Sequence, residues 1–186
     1  VVYLFFGMRG GGDQLYGMDV TNQLDPKVMW TLGPDELPGI GQTWSTPVVA
    51  RVKIGDAIKL VLVVGGGYDT KQESYDGVTK TFDFQYQQDD VGNRIFIIDA
   101  ESGSLLWSGG PTGSSATVKF SKMTNGFASD LRVIDLSADG LADRIYASDI
   151  GGRVWRFDVW NGEATEDLIT GGVIASLGEA DEGPPY

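Results

Sequence analysis

Three separated stretches of this 186-residue chain carry one signature, a short apolar strand that ends on aspartate. They are Gln14-Leu15-Tyr16-Gly17-Met18-Asp19, Arg94-Ile95-Phe96-Ile97-Ile98-Asp99 and Arg153-Val154-Trp155-Arg156-Phe157-Asp158. The first two lead through a turn into a strand ending at Trp30 or Trp107. Each stretch is preceded by a strand that runs into glycine: Val1–Phe6, Lys59–Val64 and Asp143–Ser148. Two more strands, Ser45–Val52 and Ala128–Ile134, open the second and third units. A unit that recurs in this way cannot bury its apolar face alone and has to stack on its neighbours.

Four short strands joined by turns make the blade of a β-propeller. The fold class expected is therefore all-β, with antiparallel four-stranded blades of a partial propeller. The blades divide as 1–34 (the end of one blade), 43–111 (a full blade with an insert at 68–92) and 124–171 (the next blade). Residues 172–186 form a tail or the start of a further strand. The 27 glycines fit the many tight turns this demands, and no stretch sustains a helical apolar period. Trp30, Trp107 and Trp155 are expected to pack between blades. Propellers close with four to eight blades, so three imply a larger ring or assembly with other copies. The chain opens on a strand without Met and stops at Gly183-Pro184-Pro185-Tyr186, which reads as a segment of a longer polypeptide.

Composition removes whole classes of chemistry. There is no cysteine and no histidine, which excludes disulfides, thiolate metal sites, cysteine nucleophiles and serine-protease-type triads. A formal charge of −12 argues against a nucleic-acid surface and suits cations. No apolar run is long enough to span a bilayer.

One motif stands out: Asp135-Leu136-Ser137-Ala138-Asp139-Gly140-Leu141-Ala142-Asp143. Oxygen-bearing side chains fall at loop positions 1, 3, 5 and 9, with glycine at 6, the spacing of a calcium loop. The ligands expected are Asp135, Ser137, Asp139, the carbonyl of Leu141, and Asp143, around a Ca2+ ion. Position 12 is Tyr146 where a helical EF-hand has its bidentate Glu, so ligation rests on Asp143. The loop lies between two expected strands, at a hairpin tip. The competing reading is a hydrated acidic turn, with Asp and Gly present for turn chemistry alone.

Other signals are weaker. The 68–92 insert carries Asp69, Asp76, Asp83, Asp89 and Asp90; it is too long for a simple connection, and a second cation site competes there with a solvated acidic loop. Arg9-Gly10-Gly11-Gly12 lacks the Lys-Ser/Thr ending and following helix of a phosphate loop, so it reads as a turn. Asp19, Asp99 and Asp158 are expected to accept backbone hydrogen bonds in their turns.

The repeat Asp99-Ala100-Glu101-Ser102-Gly103-Ser104-Leu105-Leu106-Trp107 resembles blades of quinoprotein-like propellers. Taken with Gly41–Val48, Val64–Asp69, Gly92-Asn93-Arg94 and the run from Asp135 to Asp158, the chain resembles the C-terminal propeller of the PilC/PilY family, adhesins associated with the type IV pilus tip. The resemblance covers most of Val1–Asp158. It implies a non-enzymatic bacterial surface protein, at the outer membrane or pilus tip, whose calcium-bound form favours pilus extension over retraction, with roles in adhesion and twitching motility. The implied partners are pilus components such as minor pilins, and a host surface. The family's calcium ligands map onto the five loop residues named above, with Asp or Asn usual where Ser137 stands. Some members carry an Arg-Gly-Asp motif in this propeller; this chain has none. Two alternatives remain: a fragment of a pyrroloquinoline-quinone dehydrogenase, and a propeller in which calcium is purely a structural staple. The missing vicinal disulfide and the contiguous loop both weigh against the dehydrogenase.

Overall fold

The structure is a computed structural model that describes residues 1–84 and 87–178. Strands dominate, and the one helical element among the described residues is a 3-10 turn at Thr70–Gln72. The first sheet holds β1 (Tyr3–Gly7), β2 (Leu15–Asp19) and β3 (Lys27–Leu32) in antiparallel order. In the second, β4 (Val48–Ile54) and β5 (Ala57–Gly65) form a hairpin. The chain then leaves through a small hairpin, β6 (Glu73–Asp76) with β7 (Thr81–Phe84), and returns as β8 (Ile95–Asp99) and β9 (Leu105–Gly110). A two-residue β10 (Val118–Lys119) adds to β9 in parallel, giving the order β10-β9-β8-β5-β4. The third sheet runs β11 (Arg132–Ile134), β12 (Arg144–Ser148), β13 (Arg153–Val159), β14 (Ile169–Ser176), all antiparallel. β14 crosses the boundary expected at residue 171 and is the fourth strand of this sheet; residues 179–186 of the expected tail lie outside the described chain.

The second sheet explains why its sequence reads as an unbroken apolar run. Alternate residues point to opposite faces, and here both faces are covered. Ile95 and Ile97 of β8, with Val61 and Val63 of β5, pack toward the third sheet. Phe96 and Ile98, with Leu62 and Val64, pack toward the first. All eight are at most 1% exposed, and each buried side chain of this size stabilises the fold by about 1.5–3 kcal/mol. The edge strands β4 and β11 touch, which sets the second and third sheets side by side.

The tryptophans seal these contacts. Trp30 of β3 reaches across to donate its indole N–H to the Ala100 carbonyl at 3.1 Å. Its ring lies against Gly17, where an added Cβ would come within 2.3 Å of it, so only glycine fits there. Trp155 stacks on Phe157 at 5.8 Å and meets Phe127 edge-on at 5.9 Å, joining the third sheet to the second. The turn aspartates divide. Asp19 accepts from the Thr21 amide and Asp99 from those of Glu101 and Ser102, as expected of turn residues. Asp158 instead binds the guanidinium groups of Arg144 and Arg156, because β13 runs on through Val159 before it turns. Arg9–Gly12 lies in the turn between β1 and β2, closed by the Gly11 amide on the Met8 carbonyl at 2.9 Å.

Candidate functional site

The acidic loop occupies the tip of the β11–β12 hairpin, closed at its base by the Asp143 amide on the Ile134 carbonyl at 2.9 Å. Above that closure it winds around its own carboxylates. Asp135 accepts at Oδ1 from the Ala138 amide (2.7 Å) and at Oδ2 from the Gly140 amide (2.8 Å). Asp143 reaches back from the far end and accepts at Oδ2 from the amides of Leu136 (2.6 Å) and Ser137 (2.8 Å). The Ser137 amide, and after it the Leu136 amide, hold the Asp143 carboxyl below its ordinary pKa. Asp139 accepts from the Leu141 amide at 2.8 Å, and the Ser137 hydroxyl lies 3.4 Å from Asp135 Oδ1. Winding this tight takes left-handed backbone at Ala138 (φ 60) and Gly140 (φ 87).

All five residues read as ligands from the sequence therefore sit on one exposed loop of nine residues. Among the described residues, no group of three or more Asp, Glu, His or Cys side chains is drawn together as a metal cage. The donor set is nonetheless all oxygen, as a hard cation requires. An ionised carboxylate offers about four lone-pair sites, so one held by amides keeps acceptor capacity for an ion. The residues fit Ca2+ in chemistry, and binding requires the side chains of Asp135, Ser137, Asp139 and Asp143 to converge.

The 68–92 insert holds its aspartates differently. Asp69 caps the 3-10 turn through the Lys71 amide (3.0 Å) and accepts at Oδ2 from the Asp90 amide (2.8 Å). Asp89 is 5% exposed, takes the Gln72 side-chain amide on Oδ1 and the Gly126 backbone amide on Oδ2, both at 2.6 Å, and has no cation bonded to it among the described residues. Burial pushes its carboxyl up to about 6, against the pull of those two donors. Asn93 donates to the Asp89 carbonyl and accepts from Arg94. Asp76 caps its own hairpin through the Val78 amide, Asp90 pairs with Lys71 at 2.8 Å, and the Asp83 side chain lies outside the described residues. The described aspartates of the insert thus serve as caps and ties, and the insert is pinned to the loop that begins the third unit.

This buried network is what the sequence reading missed. Gln72, Asn93 and Gly126 carry no local signal, because their partners lie far along the chain. Arg153 is similar: it donates to the Lys122 carbonyl at 2.7 Å and sits 3.6 Å from buried Asp149, which also accepts from the Trp155 indole at 2.8 Å.

Comparison with known proteins agrees with this architecture. Residues 1–171 match the family described as the PilY1 beta-propeller domain. The type IV pilus biogenesis factor PilY1 of Pseudomonas aeruginosa strain PAO1 is 30% identical over 164 residues, covering 88% of this chain and 12% of that protein. A PilY1 homolog of Xylella fastidiosa is 26% identical over 147 residues, 79% of this chain and 10% of that one. The chain thus spans about an eighth of the length of its first relative. The crystal structure of the Pseudomonas aeruginosa PilY1 C-terminal domain superposes with a TM-score of 0.60 at 30% identity, over 84% of this chain and 26% of that one. Sheet order, interleaved tryptophans and sequence together show that the chain belongs to the PilY1 β-propeller domain family.

Proposed function

We propose that this chain is a calcium-binding propeller segment of a type IV pilus biogenesis factor, acting by assembly and not by catalysis. The observation that carries the reading is the Asp135–Asp143 loop, an all-oxygen donor set with calcium-loop spacing on a hairpin tip of a PilY1-type propeller. Three carboxylates within nine residues repel one another, and a divalent cation removes that repulsion while drawing Asp135, Ser137, Asp139, the Leu141 carbonyl and Asp143 inward. Binding confined to the folded state stabilises it by mass action, so the loop becomes a calcium-set element of the surface. In this reading the parent protein works at the bacterial cell surface with pilus components such as minor pilins, favours extension over retraction when calcium is bound, and contributes to attachment.

The amides that already hold Asp135 and Asp143 favour a loop ordered before the ion arrives, and so a second reading in which calcium only staples the hairpin. Calorimetric titration of calcium into this chain tests the ion itself: binding is expected in the wild type and lost in Asp135→Ala and Asp143→Ala, while unchanged affinity in both variants removes the assignment. Counting surface pili in cells carrying the same substitutions in the full-length protein, with and without calcium, then separates switch from staple.

A further inference from the structure

Ala142, between the proposed ligands Leu141 and Asp143, has both backbone polar groups taken by other parts of the fold. Its amide donates to the Arg51 carbonyl of β4 at 2.8 Å. Its carbonyl accepts from the Asn161 side chain, Nδ2, at 2.9 Å. The other end of the same side chain, Oδ1, accepts the Lys53 amide of β4 at 2.8 Å. Around it, the Gly162 amide donates to the Lys53 carbonyl (2.8 Å) and the Gly55 amide to the Glu163 carbonyl (2.9 Å), so the connection between β13 and β14 is laced onto edge strand β4 and the turn after it. The Val159 amide meanwhile holds the Asp143 carbonyl at 2.9 Å.

We infer that Asn161 is a positioning residue that couples the acidic loop to the neighbouring sheet, so that cation binding in the loop tightens the junction between the second and third sheets. The inference rests on the calcium reading above and adds its regulation. The geometry supplies the coupling in one step. Moving Leu141 and Asp143 inward moves Ala142, which is buried and cannot shift without stretching its bonds to Arg51 and Asn161. Asn161 bridges a carbonyl and an amide at once, a pairing its side-chain amide makes and an ionised Asp cannot, since Asp offers no donor to the Ala142 carbonyl. Coupling of this kind is reciprocal: whatever loosens the junction weakens the ion by the same factor that the ion tightens the junction.

The test combines calcium titration with site-resolved amide exchange on this chain. In the wild type, calcium is expected to slow exchange at the Lys53 and Gly55 amides, which lie on β4 and the turn after it and touch no proposed ligand. In Asn161→Ala that slowing is expected to vanish and calcium affinity to fall on the order of tenfold. Asn161→Asp keeps the acceptor for Lys53 and removes only the donor to Ala142, and is expected to lose a similar factor. Calcium binding with unchanged affinity in both variants, or slowing confined to residues 135–143 in the wild type, overturns the coupling and leaves the calcium site standing. A wild type that takes up no calcium overturns both. The wild-type exchange comparison decides the matter even if neither variant folds.

Discussion

The loop at 135–143 and the insert at 68–92 both concentrate aspartates, yet they hold them by opposite means. In the loop the carboxylates stay in or near water, accept amides from their immediate neighbours, and leave acceptor capacity for an ion. In the insert Asp89 is buried against one donor from the insert's own 3-10 turn and one from the loop at Gly126, and both its oxygens are taken. The first arrangement leaves net negative charge where solvent or a cation meets it. The second uses a carboxylate as a tie, at the cost of desolvating its charge. Two acidic segments of similar composition therefore have different chemistry, and burial decides which is which.

The glycines at the two places give the sharpest way to break that contrast. Gly67, beside the buried network, has φ +97, and an added Cβ would lie 1.9 Å from the Gln42 carbonyl oxygen. That oxygen is itself fixed by the amides of Trp44 and Tyr68 and cannot give way. Gly67→Ala is expected to cost about 4 kcal/mol or more, read as a collapse of the urea midpoint or a failure to fold.

Next in size is the charge on Asp89. Its folded-state carboxyl titrates at about 6 against an ordinary 3.8, so the folded chain binds the proton more tightly than the unfolded one. The stability this group contributes is thus fully present below the ordinary value and is lost as pH rises through about 6. The loss amounts to roughly 3 kcal/mol by neutral pH. Thermal melts of the wild type are expected to fall between pH 4.5 and 7, and that slope is expected to flatten in Asp89→Asn. An equal slope in both proteins places the titration elsewhere.

The smallest effect belongs to the exposed loop. Gly140 has φ +87 but nothing within 4 Å of an added Cβ, so Gly140→Ala pays only for left-handed backbone, about 1–2 kcal/mol. Its calcium affinity, measured by titration, is expected to weaken, and the melt of the metal-free chain to fall by only a few degrees. A loss as large as that of Gly67→Ala would erase the distinction between the two regions.

What the sequence reveals follows the same division. Strand, turn and tryptophan positions repeat locally, so β2, β8 and β13 and the aromatic contacts between sheets were legible from periodicity. The acidic loop was legible because its five expected ligands fall within nine residues. The Asp89 network was not: Gln72 lies 17 positions away and Gly126 lies 37 positions away, and neither residue type announces a partner. The β6–β7 hairpin was hidden for another reason. Its strands are only four residues each, Glu73–Asp76 and Thr81–Phe84, too short for a period to stand out from the polar insert around them. Asn161 was silent because a side-chain amide between two backbone groups leaves no pattern in its own neighbourhood.

Asn161 has one more consequence, and it concerns chemical ageing. It is followed by Gly162, the pairing in which the next backbone nitrogen most readily attacks the side-chain amide. That attack expels ammonia and closes a cyclic imide, which water then opens to an aspartyl or isoaspartyl residue. Here the attacking nitrogen's hydrogen is engaged by the Lys53 carbonyl, and the amide is gripped at both ends. A closed junction therefore shields a fragile dipeptide, whereas each opening exposes it to an irreversible change that removes the donor Ala142 relies on. The fraction of chains deamidated at this position becomes a record of how long the two sheets have spent apart.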